Sequence, residues 1–259
     1  MPRFKLTLEY AGTRYSGWQA QRNARTVQGD LEKAVVEALG EVLVDSQGSG
    51  RTDAGVHALA QVAHLDLTRG FDPLQLRRRI NDALPADIHV REVAAVPRSF
   101  HARHSAERRS YVYQVSRRRT AFAKPFVWWV KDPLDVGAMQ RAASAFVGRH
   151  DFQSFSDDDP DEKSTIVQLD EVTIAEAGPL VLIRVVGSHF LWKMVRRMVG
   201  VLVHIGTGGR PALDVRVLLS EPSDVPATLT APAAGLFLER VLYAGDAWPE
   251  PLTPPIAIR

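Results

Sequence analysis

Residues 48–58 carry the run Gly48-Ser49-Gly50-Arg51-Thr52-Asp53-Ala54-Gly55-Val56-His57-Ala58. Its glycines keep the backbone compact and allow positive φ angles that other residues avoid. A lone carboxylate, Asp53, lies between two of these glycines, and the Arg51 cation favours its ionised form if the two side chains meet. On residue types alone, an ordinary turn with a solvated Arg51 is the commoner outcome. Asp53 is therefore a candidate catalytic residue that needs support from the rest of the chain.

Around this run, hydrophobic periodicity predicts a β-α-β-β-α-β half with a mainly antiparallel sheet. The predicted strands cover residues 4–10, 41–44, 61–67 and 88–96, and the predicted helices cover 26–39 and 73–84. Thr26 is the expected N-cap of the first helix and Gly40 its terminator. Asp53 then lies on a loop between two strands, where a rigid scaffold can present a catalytic group.

The second half has the same mixture of strands and helices. Strands are predicted over 109–115, 166–175, 180–186 and within 231–243, and helices over 136–147, from 190 onward and over 215–220. Tyr111 and Tyr113 point to one face of their strand. The helix that opens at Phe190 is apolar nearly all round, so Arg196 or Arg197 is expected to meet a carboxylate. We predict an α+β chain with domains at 1–104 and 105–259.

The composition is that of an ordinary globular protein without disulfides. The 259 residues include no cysteine, which excludes thiolate metal sites, and no His-Glu-x-x-His spacing is present. Neither a signal peptide nor a run long enough to span a membrane is evident, so we expect a cytoplasmic chain.

Charge is segregated although the net charge is only +2. Arginines cluster at 77–79, 108–109, 117–119 and 196–197, whereas acidic residues cluster at 157–159 and 161–162. Any one cluster is more often a solvated face. Together they favour a basic groove for nucleic acid.

The run from Gly50 to Ala58 resembles the signature of the tRNA pseudouridine synthase A family. Further blocks resemble the same family in the same order along the chain. They lie at residues 15–18, 100–103, 109–113, 148–155, 190–200 and 231–243. The resemblance covers almost the whole chain, which is more than a small binding module requires.

The resemblance implies the pseudouridine synthase fold, with an active-site cleft between two α/β-sandwich-like halves. It implies isomerisation of uridine to pseudouridine at positions 38, 39 and 40 in the anticodon stem-loop of tRNAs, by a homodimer. Asp53 would be the nucleophile, Tyr111 would stack on the base and is a candidate general base, and Arg196 would be the partner of Asp53. No organic cofactor and no metal are expected.

A stacked base is out of reach of Asp53, so the uridine must be flipped out of the RNA. The candidates for contacting the substrate are Tyr111, Arg51, His57, Phe100, His101, Arg103, Phe152 and Leu191. The residues leave open whether Asp53 attacks the ribose, attacks the uracil or takes a sugar proton. Two alternative functions also stay open: a nucleoside hydrolase using the same Asp53, and a non-catalytic RNA-binding module.

Overall fold

Most strands pair antiparallel in the computed structural model, which describes residues 1–40, 45–248 and 251–258. The strands are β1 Arg3–Tyr10, β2 Asp45–Gly48, β3 His57–Asp66, β4 Ile88–Val96, β5 Ala106–Ser116, β6 Trp128–Trp129, β7 Gly148–Asp151, β8 Ile166–Ala177, β9 Leu180–Gly187 and β10 Leu236–Tyr243. The helices are α1 Val27–Leu39, α2 Pro73–Ala83, α3 Val136–Ala143, α4 Met194–Gly206, α5 Val215–Ser220 and α6 Val225–Thr228. The α+β class is therefore confirmed. None of the helices in these ranges has the length and apolar character needed to cross a membrane.

The first compact unit comprises Met1–Glu107 and Leu238–Ala247. Its strands lie in the order β4-β1-β3-β10, and β2 also pairs with β3. Phe4, Leu6 and Leu8 of β1 are almost completely buried, while the residues between them are partly or fully exposed. This is the alternation expected of a strand with one face on a core.

Helix α1 has the boundaries that its sequence predicts. The Thr26 side chain accepts a hydrogen bond from the Gly29 N–H, and Gly40 ends the helix in the left-handed conformation at φ 61°. Helix α2 likewise begins at Pro73, after an Asp72 cap that accepts from the Gln75 N–H. In both helices, the side chain of the residue just before the first helical residue accepts a backbone N–H that the helix itself leaves without a partner.

The second unit comprises Arg108–Phe237 and Trp248–Arg259. Its strands lie in the order β5-β9-β8-β7, with β6 parallel to β5. Every residue of β9 is buried, as is most of α4. Because an apolar helix and an apolar strand both need cover, they form the core of this unit.

Some predictions differ from the structure. The helix predicted from Phe190 begins instead at Met194, after Lys193 takes a left-handed conformation at φ 62°. The predicted strand over 41–44 lies outside the described residues. Residues 238–247, predicted in the second domain, belong to the first unit because β10 is a neighbour of β3 in the strand order. The predicted domain boundary follows residue 104, and the two compact units divide three residues later, after Glu107.

Candidate active site

Asp53 lies on a tightly bonded loop, residues 49–56, which we call the Asp53 loop. The loop connects β2 to β3, as predicted, and leaves Asp53 half-buried. The Thr52 hydroxyl shares a buried 2.8 Å hydrogen bond with the Tyr10 hydroxyl. Three backbone bonds complete the loop: Trp18 N–H to Thr52 O at 3.1 Å, Gly55 N–H to Tyr15 O at 3.2 Å and Val56 N–H to Asp53 O at 3.1 Å. Asp53 thus projects from a backbone fixed on both sides.

Two glycines of the segment between β1 and α1, Gly12 and Gly17, allow the backbone of that segment to contact the Asp53 loop directly. A Cβ on Gly12 would lie 1.9 Å from the Val56 carbonyl oxygen. A Cβ on Gly17, where φ is +96°, would lie 2.5 Å from the Thr52 carbonyl oxygen. Real side chains do not tolerate such distances, so the two loops form one packed layer beneath Asp53.

Trp18 is an anchor for this layer. Its indole is 1% exposed and lies against Gly48, where a Cβ would come within 2.5 Å of the indole nitrogen. A ring this buried anchors the loop and is not available to stack on a base. Ser49 and Gln61 fix the start of the loop through a 2.7 Å hydroxyl-to-amide hydrogen bond.

His57 does not lie where a phosphate contact would place it. The ring is 1% exposed, and Nδ1 accepts a 3.0 Å hydrogen bond from the Gly12 N–H. His57 thus ties the start of β3 to the loop that contains Gly12, and the structure gives no support to the predicted RNA contact of His57. Arg51, by contrast, is exposed, and its Nε donates to Gln19 Oε1 at 3.0 Å.

The connector at residues 97–105, between β4 and β5, contains three more predicted site residues. Phe100 and His101 are half-buried and Arg103 is exposed. The Phe100 ring lies 5.1 Å from the Tyr243 ring, and the Tyr243 hydroxyl donates to Ala102 O at 2.8 Å. The connector therefore has a fixed backbone from which Arg103 projects.

Three neighbouring histidine rings, those of His64, His101 and His104, pack against one another at the same connector. Buried His64 accepts a 3.1 Å bond from the Ala102 N–H, and its ring lies 4.8 Å from the His101 ring. His101 in turn lies 4.3 Å from His104 and accepts N–H bonds from Arg103 and His104. Burial lowers the pKa of His64 and His101. Within the described residues, no group of three or more His, Cys, Asp or Glu is arranged to hold a metal ion.

In the second unit, Tyr111 lies on β5 and pairs with Val185 of β9. Its half-buried ring meets the edge of Phe190, with ring centres 4.9 Å apart and planes at 77°. Two other residues predicted to contact the substrate lie in the interior: Phe152 is completely buried among Phe146 and Phe155, and Leu191 is 5% exposed. An apolar side chain suits a core as well as it suits a base contact, so the sequence did not distinguish the two.

Arg196 is held by the segment that precedes β10. Its Nε donates to Ala231 O at 2.8 Å, and its own carbonyl accepts the Ala231 N–H at 3.1 Å. Tyr113 donates to the next carbonyl, Pro232 O, at 2.7 Å, and burial raises the pKa of Tyr113. A Cβ on Gly200 would lie 1.8 Å from Leu229 O, so α4 contacts this segment without a side chain between. The role of Tyr113 was not predicted.

Arg197, the buried arginine of α4, pairs with a carboxylate of its own unit. Its guanidinium pairs with Asp157 and donates to Ser156 O at 2.6 Å. Asp158 accepts the Trp192 N–H at 2.9 Å and the Lys163 ammonium at 2.8 Å. Burial opposes ionisation of Asp158, but these donors hold its pKa below the usual range. The start of the acidic run thus contacts the start of α4.

Comparison with known proteins agrees with the resemblance in the sequence. The pattern of the tRNA pseudouridine synthase family matches residues 7–105 and 142–244. A protein named tRNA pseudouridine synthase A from Nitrobacter winogradskyi is 45% identical over 249 residues, which are 95% of this chain and 97% of that protein. Its namesake from Maricaulis maris is 42% identical over 250 residues, covering 95% and 100%.

Among solved structures, a Cbf5-Nop10-Gar1 complex matches with a TM-score of 0.36 and 11% identity, over 77% of this chain and 45% of that one. A likeness this distant carries no argument. The sequence matches, by contrast, extend through both compact units and nearly the full length of the relatives. The predicted family is therefore confirmed, and this chain belongs to the tRNA pseudouridine synthase family of isomerases.

Proposed function

We propose that this chain converts uridine to pseudouridine at positions 38, 39 and 40 of the anticodon stem-loop of tRNAs. The observation that carries the proposal is Asp53, half-buried on a loop that two neighbouring glycines and the Thr52 hydrogen bonds fix. Family membership and the curated names of its relatives support the reaction and the substrate class. The three positions are inferred from the family resemblance of the sequence.

The reaction rearranges bonds without a redox step. The glycosidic N1–C1′ bond breaks, the uracil turns, and a C5–C1′ bond forms. The C5 proton is lost and N1 gains a proton, so the nucleoside keeps its formula. Bond cleavage develops positive charge on the sugar, as in glycoside hydrolysis, and a carboxylate is suited to stabilise or to trap that charge. Three roles remain for Asp53: attack on C1′, attack on the uracil ring, and removal of a sugar proton.

Tyr111 and Arg196 complete the proposed set. The Tyr111 ring, braced by the edge of Phe190, offers a surface for the flipped uracil, and its hydroxyl is a candidate for the final proton removal from C5. The Arg196 guanidinium, aligned by Ala231 O, is the proposed partner of the Asp53 carboxylate.

Exposed cations supply the proposed RNA contacts. Flipping a nucleotide costs roughly a few kcal/mol, which stacking and phosphate contacts offset. Arg51 and Arg103 are exposed and lie on fixed backbones in the first unit, with Phe100 and His101 beside Arg103. We propose Arg51 and Arg103 as phosphate ligands, and a homodimer in the cytoplasm as the working form.

The test is the variant Asp53→Asn, which keeps the size of the side chain and removes its charge. With tRNA containing uridine labelled with tritium at C5, we expect tritium release to fall by at least about a thousandfold, as expected when a nucleophile is lost. Binding of the same tRNA should change by less than about threefold. Asp82→Asn, on the exposed side of α2, is the matched control and should release tritium at the wild-type rate.

The alternatives give different results in the same assay. A nucleoside hydrolase would release free uracil and leave abasic sites, without pseudouridine in the digested tRNA. An RNA-binding module would bind the tRNA and release no tritium even as wild type. Normal turnover by Asp53→Asn would exclude the proposed mechanism.

A further inference from the structure

The segment between β9 and α4, residues 188–193, which we call the bridge, contains the aromatic ring that packs against Tyr111. Phe190 of this bridge meets the Tyr111 ring edge-on at 4.9 Å. The same Phe190 ring lies close to Gly187, where a Cβ would come within 3.5 Å of Cζ. The position of Phe190 along the bridge therefore decides what the Tyr111 ring packs against.

The bridge is bonded to the acidic run through the backbone of one residue, Trp192. The Trp192 N–H donates to Asp158 Oδ2 at 2.9 Å, and the Trp192 carbonyl accepts the Asp157 N–H at 3.3 Å. We call residues 156–158 the acidic clasp. Both backbone hydrogen-bonding groups of Trp192 are thus bonded to the clasp, while the Trp192 indole is 53% exposed.

The backbone conformation of the next residue, Lys193, indicates that contacts with the clasp hold the bridge in place. Lys193 has φ 62° and ψ 2°, a left-handed conformation that costs free energy for a residue with a Cβ. Such a conformation persists where surrounding contacts over-determine it. Here the contacts come again from the clasp, because Lys193 Nζ lies 2.5 Å from Asp157 Oδ2 and Arg197 of α4 pairs with the same carboxylate.

We propose that Asp158 is a positioning residue for Tyr111, acting through the Trp192 backbone and the Phe190 ring. The proposal rests on the proposed role of Tyr111 at the uracil. Asp158 contributes a hydrogen-bond acceptor at a fixed place, and its charge is secondary because Lys163 already neutralises it at 2.8 Å. The clasp residues touch neither the RNA base nor the reacting atoms in this scheme.

Two substitutions separate the acceptor from the charge. Asp158→Ala removes the acceptor, and we expect kcat for tRNA to fall by about tenfold with KM within about twofold, because small misplacements of a contacting group cost turnover. Asp158→Asn keeps an oxygen that can accept from the Trp192 N–H and should retain most of the activity. Lys163→Ala removes the ion pair on the same carboxylate and should leave kcat unchanged.

A second measurement reports on the Tyr111 ring without turnover. In protein labelled with 3-fluorotyrosine, the ¹⁹F signal of Tyr111 is identified by its loss in Tyr111→Phe. We expect Asp158→Ala to shift or broaden this signal and Asp158→Asn to leave it in place. Phe190→Ala should perturb the same signal while the clasp stays intact, which covers the case in which Asp158→Ala folds poorly.

Several results would overturn the proposal. Unchanged kcat in Asp158→Ala, or equal losses in Asp158→Ala and Asp158→Asn, would show that the acceptor does not matter. A ¹⁹F signal that ignores both Asp158→Ala and Phe190→Ala would show that the bridge does not position Tyr111. If the wild-type enzyme forms no pseudouridine, the proposed function fails, whereas the ¹⁹F measurement still tests the link from Asp158 to Tyr111.

Discussion

At the scale of single residues, the Asp53 loop depends as much on missing side chains as on present ones. Gly12 and Gly17 permit a backbone approach that any Cβ would block. Sequence reasoning located Asp53 on its loop, because turn glycines and flanking strands are local signals. It did not locate His57, Phe152 or Leu191 in the interior, since burial depends on which distant residues cover a side chain.

Gly17→Ala should be more damaging than its backbone angle alone explains. Gly17 and Gly40 both have positive φ. A Cβ on Gly17 would lie 2.5 Å from Thr52 O, whereas a Cβ on Gly40 would have no atom within 4 Å. We expect Gly40→Ala to lower the free energy of unfolding by about 1 kcal/mol. Gly17→Ala should lower it by about 3 kcal/mol and reduce tRNA turnover as well. Urea denaturation checks both values, and equal losses would contradict the crowding.

At the scale of elements, the helices show where sequence patterns suffice. Helix α1 was predicted at both ends because Thr26 and Gly40 are local signals. Helix α4 was predicted to begin too early, at Phe190, because the apolar pattern continues through the bridge. The true start depends on the left-handed Lys193, which is held by Asp157, a residue far away in the sequence.

The connector at residues 97–105 should make stability depend on pH through His64. Burial, with help from the Arg3 and His101 charges, lowers the folded-state pKa of His64, against the opposing influence of Asp45 and Asp66. The unfolded chain then takes up the proton more readily, so this contribution is complete above about pH 6.5 and is lost as the pH falls further. Protonation also removes the acceptor for the Ala102 N–H.

We therefore expect the free energy of unfolding to decrease from about pH 7 to about pH 5. His64→Gln keeps an oxygen for the Ala102 N–H and should give a shallower decrease in denaturation titrations. His89→Gln, at an exposed position of β4, is the control and should follow the wild type. A His64→Gln profile as steep as that of the wild type would refute the assignment.

At the scale of the whole molecule, charge distribution says more than the net charge of +2. Arg78 and Arg79 are exposed on α2, and Arg117, Arg118 and Arg119 are exposed after β5. By contrast, Asp157 and Asp158 are engaged by cations of their own unit. Exposed arginines thus remain in the clusters at 77–79 and 117–119, whereas Arg197 of the cluster at 196–197 is buried.

Affinity for tRNA should accordingly fall steeply with salt, because each phosphate contact releases counterions. The double substitution Arg78→Ala and Arg79→Ala should reduce the slope of log K against log salt by about 0.9 for each phosphate that is no longer neutralised. Arg210→Ala with Arg216→Ala removes the same charge outside the clusters and serves as the control. Filter binding over a salt series measures the slopes; identical slopes in the two double variants would exclude the α2 arginines from the interface.

The division into two units was only partly predictable from the sequence. The change near residue 104 follows from local patterns, and the structure divides after Glu107. The membership of Leu238–Ala247 in the first unit has no local signal, because a strand's partner is chosen by long-range fit and not by its own pattern.

That late strand has a consequence for the order in which the polypeptide matures on the ribosome. β3 cannot gain β10 as its neighbour, nor Ala102 its bond from Tyr243, until more than two hundred residues have been translated. The nascent amino-terminal segment therefore leaves the exit tunnel with a sheet edge still unpaired. Such an edge invites intermolecular pairing, so a nascent chain stalled before residue 238 should recruit chaperones more strongly than one stalled after residue 247.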